Sequence, residues 1–233
     1  MNNKIRILCE SFLFTIVVML NWSCEKGDGY GESFFSKSYI TDYVYPDSLE
    51  SCFVETVDDR MVMRLRFHGG YYVALSSYRY FADWERREYL FDSLMVSYGD
   101  TTYNEDIYVE GHQALATPID SISVISDADY DENHAAGSDL SDIVIFQGVS
   151  YYNFISHGYF REEDIYGDYY DDNGLKLNRP LSELRPEDYH LWDFYPFEFK
   201  FFKPSLSQVH HITVTIATGG KTFKVTETLD FSK

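Results

Sequence analysis

His211-Ile212-Thr213-Val214-Thr215-Ile216-Ala217-Thr218-Gly219-Gly220-Lys221-Thr222-Phe223-Lys224-Val225-Thr226 is the stretch that decides the fold. Two runs rich in β-branched residues alternate polar with apolar on either side of a glycine pair. Alternation of period two is the mark of a half-buried strand, and two glycines accept the positive φ angles that a tight hairpin turn requires. The chain therefore ends in an antiparallel hairpin, and the segments before it follow the same rule. Phe197, Phe199 and Phe201 share one strand face, with Glu198 and Lys200 opposite. Ile119 to Ile125 points Ile119, Ser121, Ser123 and Ile125 one way and Ile122 and Val124 the other, which makes Ile122 and Val124 its expected inner face or leaves both faces partly covered. Met63, Leu65 and Phe67 alternate with Arg64 and Arg66. His68-Gly69-Gly70 then reads as a turn into a second strand, Tyr71 to Leu75, and Tyr89 to Tyr98 reads as a third, ended by Gly99-Asp100.

Helical signals are few. Pro180 to Trp192 has room for one or two short turns around Pro186, and Ser138 or Asp139 could cap another ahead of Leu140. Many short strands with turns between them predict an all-β fold: an antiparallel immunoglobulin-like β-sandwich with a few short helical turns, or alternatively a small β-barrel.

The chain is 233 residues long with a formal charge of -19, and 18% of it is aromatic, with 21 tyrosines. That aromatic content supplies a real core and excludes a disordered chain. The charge argues against nucleic acid and anionic lipid surfaces as partners. It leaves cationic partners and divalent metals open, and it keeps an aromatic-rich protein in solution. Three cysteines, Cys9, Cys24 and Cys52, do not make a disulfide framework.

The N-terminus reads as an address. Lys4 and Arg6 form a short basic tract, and an apolar run from Phe12 to Leu20 follows that is about half the roughly 20 residues a membrane-spanning helix needs. A small residue then precedes the break, as in a secretory signal peptide. Leu20-Asn21-Trp22-Ser23-Cys24 resembles the lipobox of bacterial lipoproteins. The resemblance implies a signal peptide over 1-23 and acylation of Cys24, which anchors the chain to a membrane. The alternative is an ordinary signal-peptidase cut nearby that leaves Cys24 a free thiol. Two or more acyl chains anchor stably where one is marginal. Removing 1-23 takes away Lys4, Arg6 and Glu10 and makes the chain more negative still. Residues 24-38, polar and glycine-rich at their start, read as a flexible tether, and 39-233 as a single β-rich domain. Cys52, the thiol left over, is expected to be a small buried hydrophobe.

Among sites, Asp127, Asp129 and Asp131 place acidic oxygens at every second position, a pattern suited to Ca2+ as a hard cation. The competing reading is a solvated acidic loop. Glu132 stands where an EF-hand loop needs glycine, and Ser138 where it needs a bidentate glutamate. A second acidic tract, Glu162 to Asp172, reads as a surface loop. Glycoside hydrolysis needs paired carboxylates that no sequence pattern here singles out. His68-Gly69-Gly70 has no companion G-x-S-x-G elbow, and Gly148-Val149-Ser150 lacks its second glycine. His210 and His211 face opposite ways on a strand and cannot share a metal. The chain is therefore expected not to be an enzyme. Tyr151-Tyr152, Tyr169-Tyr170 and Trp192, in or near loops, are either exposed rings able to stack on sugars or half-buried anchors.

Ile119 to Val124, Asp127 to Asp131 and His134-Ala135-Ala136-Gly137-Ser138-Asp139-Leu140-Ser141-Asp142, with the terminal hairpin, resemble a family of uncharacterised Bacteroidota cell-envelope lipoproteins. The resemblance implies an outer-membrane lipid-anchored protein, on the periplasmic face or the cell surface, and carries no catalytic residues. The function expected is a non-catalytic binding or accessory module for glycans or envelope proteins. The alternative is a structural or assembly component of a surface structure, with a hydrolase behind both.

Overall fold

A computed structural model describes residues 33-74, 84-108, 111-160, 169-171 and 174-232. Residues 1-32, with the expected signal peptide, Cys9 and Cys24, lie outside the described residues. Strands dominate, and the fold is all-β. They run β1 (Ser33–Ser36), β2 (Asp42–Val57), β3 (Arg60–Ala74), β4 (Glu105–Tyr108), β5 (Gln113–Leu115), β6 (Ile119–Ser126), β7 (Ile145–Ser150), β8 (Tyr169–Asp171), β9 (Gly174–Pro180), β10 (Phe197–Phe201), β11 (Val209–Thr218) and β12 (Lys221–Asp230). The helices are α1 (Trp84–Tyr98) and α2 (Tyr152–Ser156), with short 3-10 turns at Leu181–Glu183 and Pro186–Tyr189 where the proline-rich segment predicts them.

The terminal hairpin forms as its residues dictate. β11 and β12 pair without a slip from Val209–Asp230 to Thr218–Lys221, and Gly219 and Gly220 both take positive φ, 58° and 75°. These angles define the turn whose twist matches the strands it joins. With β6 the hairpin makes a three-stranded sheet, β12-β11-β6. A bulge beside Ala217 brings Ile119 onto the buried side, so Ile119 and Val124 are buried and Ile122 packs partly against them.

The larger sheet has the order β5-β2-β3-β10-β7-β9-β8. Its paired strands are antiparallel except β2 and β5, which run parallel, so the sheet is mixed rather than purely antiparallel. A short two-stranded ribbon, β1-β4, stands apart from both. The inner faces of the two main sheets close on each other. Met63, Leu65, Phe67, Phe146, Phe197, Phe199 and Phe201 from the large sheet share one buried cluster with Ile212, Val214, Ile216, Phe223 and Leu229 from the small one. This is sandwich packing.

A second core lies on the other face of the large sheet. Successive strand residues point to opposite faces, and the pairs separate accordingly: Leu115 joins the first cluster and Ala114 the second, Phe146 the first and Val149 the second. The second core holds Tyr39, Tyr43, Val73, Phe91, Tyr151, Phe154 and Leu191, roofed by α1 and α2.

Four expectations change. Tyr89 to Tyr98 is helix, not strand: Leu90, Phe91, Leu94, Met95 and Tyr98 follow the 3.6-residue spacing and pack on the second core. Gly99, at φ 72°, ends α1 by donating its N–H to the Val96 carbonyl while Asp100 donates to Met95. His68-Gly69-Gly70 is not a turn, because β3 runs straight through it. The hairpin turn falls at Asp58-Asp59, both at positive φ. Gly69 serves closeness instead: a Cβ there would stand 2.2 Å from Val44 Cγ1, beside a break in register at Pro46. Ser138 and Asp139 cap no helix; Asp139 Oδ1 accepts the Ser141 N–H at 2.7 Å within a turn. Residues 33-38, expected to belong to a flexible tether, include β1 and buried side chains instead. The compact unit begins at Phe34, and Ser36 and Ser38 are buried.

Candidate functional site

The three loop aspartates do not converge. Asp127, at the end of β6, accepts the His211 backbone N–H and meets His211 Nδ1, both at 2.7 Å. Asp129 accepts the Ala136 N–H at 2.8 Å. Asp131 accepts the N–H groups of Asn133 and His134 and meets His134 Nδ1 at 2.7 Å. Each carboxylate fastens a different part of the loop, and among the described residues no three His, Cys, Asp or Glu side chains group as metal ligands. The arrangement is that of a self-bonded acidic loop, and it lends the calcium reading no support. His134 sits between Asp131 and Asp142, whose hydrogen bonds, Asp131's the stronger, hold its imidazole above the usual range. His210 and His211 do face opposite ways: His210 is buried against Ser126 and Ser207, and His211 is exposed.

The tyrosine expectation divides. Tyr151 and Trp192 are buried and Tyr152 half-buried, so these rings are anchors. The side chains of Tyr169 and Tyr170, and residues 161-168 of the second acidic tract, lie outside the described residues. Cys52 is half-buried on β2 rather than fully buried.

The most open ring near a hollow is one the sequence does not single out, Tyr195, at 71% exposure. It stands on the crossing from Leu191 to β10, and backbone bonds fix that crossing. Tyr151 donates its N–H to Leu191, and Asp193 donates to the Val149 carbonyl at 2.9 Å, so residues 191-193 run beside β7. Phe194 then turns away to donate to Gln113 of β5. The chain returns to β7 only at β10, where Glu198 pairs with Gln147. Between departure and return it leaves a groove of about 180 Å3.

Gln147, Lys176, Asp193 and Glu198 bring polar groups to this groove, and the almost fully buried Trp192 and Phe197 border it. Trp192 is immobilised: it stacks on Phe146 at 4.6 Å and donates its indole N–H to the Asp188 carbonyl at 2.6 Å. Asp193 Oδ1 accepts the Tyr195 N–H at 3.1 Å, which sets the ring on a short turn. Burial pushes the Asp193 carboxyl up to about 6, against hydrogen bonds from the Tyr195 backbone and the Tyr151 hydroxyl that pull the other way.

A cross-sheet row continues outward from the groove. Arg64, opposite Glu198 in register, donates Nε–H to it at 2.9 Å, and Lys200 donates to Gln147. A second hollow of about 250 Å3 lies along this row, lined by Arg60, Arg64, Lys200 and acidic partners. The aromatic rings near it are already capped: Arg64 covers Phe53 at 4.1 Å and Arg60 covers Phe202 at 4.6 Å. Among the described residues nothing of that kind covers Tyr195, so the smaller groove holds the open aromatic face.

This set can hold a polar ligand that has an apolar face: a ring to stack on and an amide, an amine and two carboxylates around it. No family model, no curated protein and no solved structure matches this chain.

Proposed function

We propose that this chain is a cell-envelope lipoprotein, anchored through Cys24, that acts as a non-catalytic glycan-binding module. The single observation that carries the binding part is Tyr195, exposed above a groove whose other walls are polar. A sugar ring has apolar C–H faces and a rim of hydroxyls, and it would stack on the phenol ring while Gln147 and Lys176 meet the rim. Binding is favoured over hydrolysis because both groove carboxylates are committed. Glu198 is bonded to Arg64 with Lys200 nearby, and Asp193 to Tyr151 and the Tyr195 backbone. The anchor rests on the lipobox resemblance and the basic-apolar order of residues 4 to 20.

A glycan array probed with the full chain tests the binding reading. The wild type retains at least one class of glycan, and Tyr195→Ala loses it by about tenfold or more, the equivalent of about 1.4 kcal/mol. Equal binding by both, or an empty array, contradicts the reading. Mass spectrometry of the N-terminal peptide tests the anchor separately: acyl chains on Cys24 are expected, with Cys24→Ala released from the membrane pellet.

A further inference from the structure

Among the described residues, nothing pairs with the outer side of the backbone of β12, the outer strand of the small sheet. Thr218 and Lys221 close a two-residue hairpin, so the odd-numbered residues of β12 exchange bonds with β11. Thr222, Lys224, Thr226 and Thr228 therefore aim their N–H and C=O groups away from the sheet, and all four are exposed. No described strand pairs with that side.

Among the described residues the other edges are short, closed or bulged: β2 beyond Val44 has no outer partner strand, but it carries Pro46 and three breaks in register. β5 has three residues. β6 is capped by Leu140 donating to Val124 and Gly137 donating to Ser126, both at 2.8 Å. β12 has ten residues, no proline and no bulge against β11, so it lacks two of the usual devices that blunt an edge.

Its charges are ordered along its length. Lys221 and Lys224 occupy the first half, and Glu227 and Asp230 the second. A strand with cations at one end and anions at the other complements itself when it runs antiparallel to a copy of itself. A register centred on Thr226 keeps outward residues facing outward residues. It sets Lys224 beside Asp230 of the second copy, and it sets Phe223, which is buried, opposite the equally buried Leu229 of that copy, so the inner apolar face continues across the join.

We propose that β12 is a self-association edge, through which two copies of this chain pair antiparallel about Thr226 into a continuous six-stranded sheet. The surface is separate from the Tyr195 groove, which belongs to the large sheet, so either proposal can fail alone.

Self-linking tests it in the full chain. Residues facing each other across a two-fold axis in a strand pair stand about 5.5 Å apart at Cα, within disulfide reach. Under mild oxidation Thr226→Cys yields the peptide spanning residues 225-233 linked to itself, identified by mass spectrometry. Thr213→Cys, on β11 inside the same sheet, yields no self-linked product. Thr226→Pro removes an N–H that faces only the open edge, so it lowers the dimer fraction at least tenfold with strand content unchanged by circular dichroism. A self-linked product at 226 no more abundant than at 213, or a dimer that survives a folded Thr226→Pro chain, overturns the proposal. If Thr226→Pro fails to fold, the comparison of the two cysteine variants decides it.

Discussion

Asp100 has no exposed surface, yet four donors converge on its carboxylate. They are the Ser38 hydroxyl at 2.8 Å, the Tyr39 and Ile40 backbone N–H groups at 2.7 and 2.8 Å, and the Tyr159 hydroxyl at 2.9 Å. A single side chain thus fastens the chain's entry into the fold to the end of α1. Burial pushes its pKa up against all four donors. Truncation leaves these donors without their acceptor, so Asp100→Ala is expected to cost about 3 kcal/mol or more in urea unfolding. A loss below about 1 kcal/mol contradicts the clasp. Asp193 makes a prediction in pH. Its folded pKa, about 6, lies above the unfolded value near ~3.9, so the folded state holds the proton more tightly. The stability it contributes is full below pH ~4 and is lost as pH rises through about 6. Asp193→Asn is expected to flatten that slope in unfolding measured from pH 4 to 7, and an unchanged slope contradicts the assignment.

At the scale of elements, α1 is held by what it buries. Phe91 is almost fully buried beside Tyr43, with ring centroids 5.4 Å apart. Phe91→Ala is expected to cost about 3–5 kcal/mol, read as a lowered denaturation midpoint. A near-neutral result would mean that the helix is not a roof of the second core. The same helix shows where sequence reading stops. β10 and the terminal hairpin were legible because alternation and a glycine pair are local signals, and Phe197, Phe199 and Phe201 are buried as their spacing predicts. Residues 89-98 carry many aromatic and apolar side chains, which suit strands and helices alike. Only the spacing of Leu90, Phe91, Leu94 and Tyr98, together with Gly99, distinguishes helix. The first hairpin turn was missed because Asp58-Asp59 accepts positive φ less obviously than Gly69-Gly70 does. The groove had no local signal. Gln147, Lys176, Asp193 and Glu198 come from three strands and a crossing loop, and they meet only because that loop leaves β7 and returns.

At the scale of the molecule, two cores share one sheet. The small sheet closes one face of it, and α1 and α2 cover part of the other. Among the described residues, the part of that second face left uncovered carries the polar row from Arg64 to Gln147 and the groove at its end. Against a formal charge of -19 for the chain, this row balances its charges, with Arg60, Arg64, Lys176 and Lys200 set among Glu55, Asp58, Asp193 and Glu198. The proposed anchor, the proposed glycan groove and the proposed pairing edge fit together as one reading, a module that holds its partners in place. Amide hydrogen exchange of the full chain, with and without the glycan it retains best, tests this most directly. The account predicts slowed exchange at residues 147-149 and 193-198 and no change along β12. Protection confined to other segments, or no protection at saturating glycan, contradicts it.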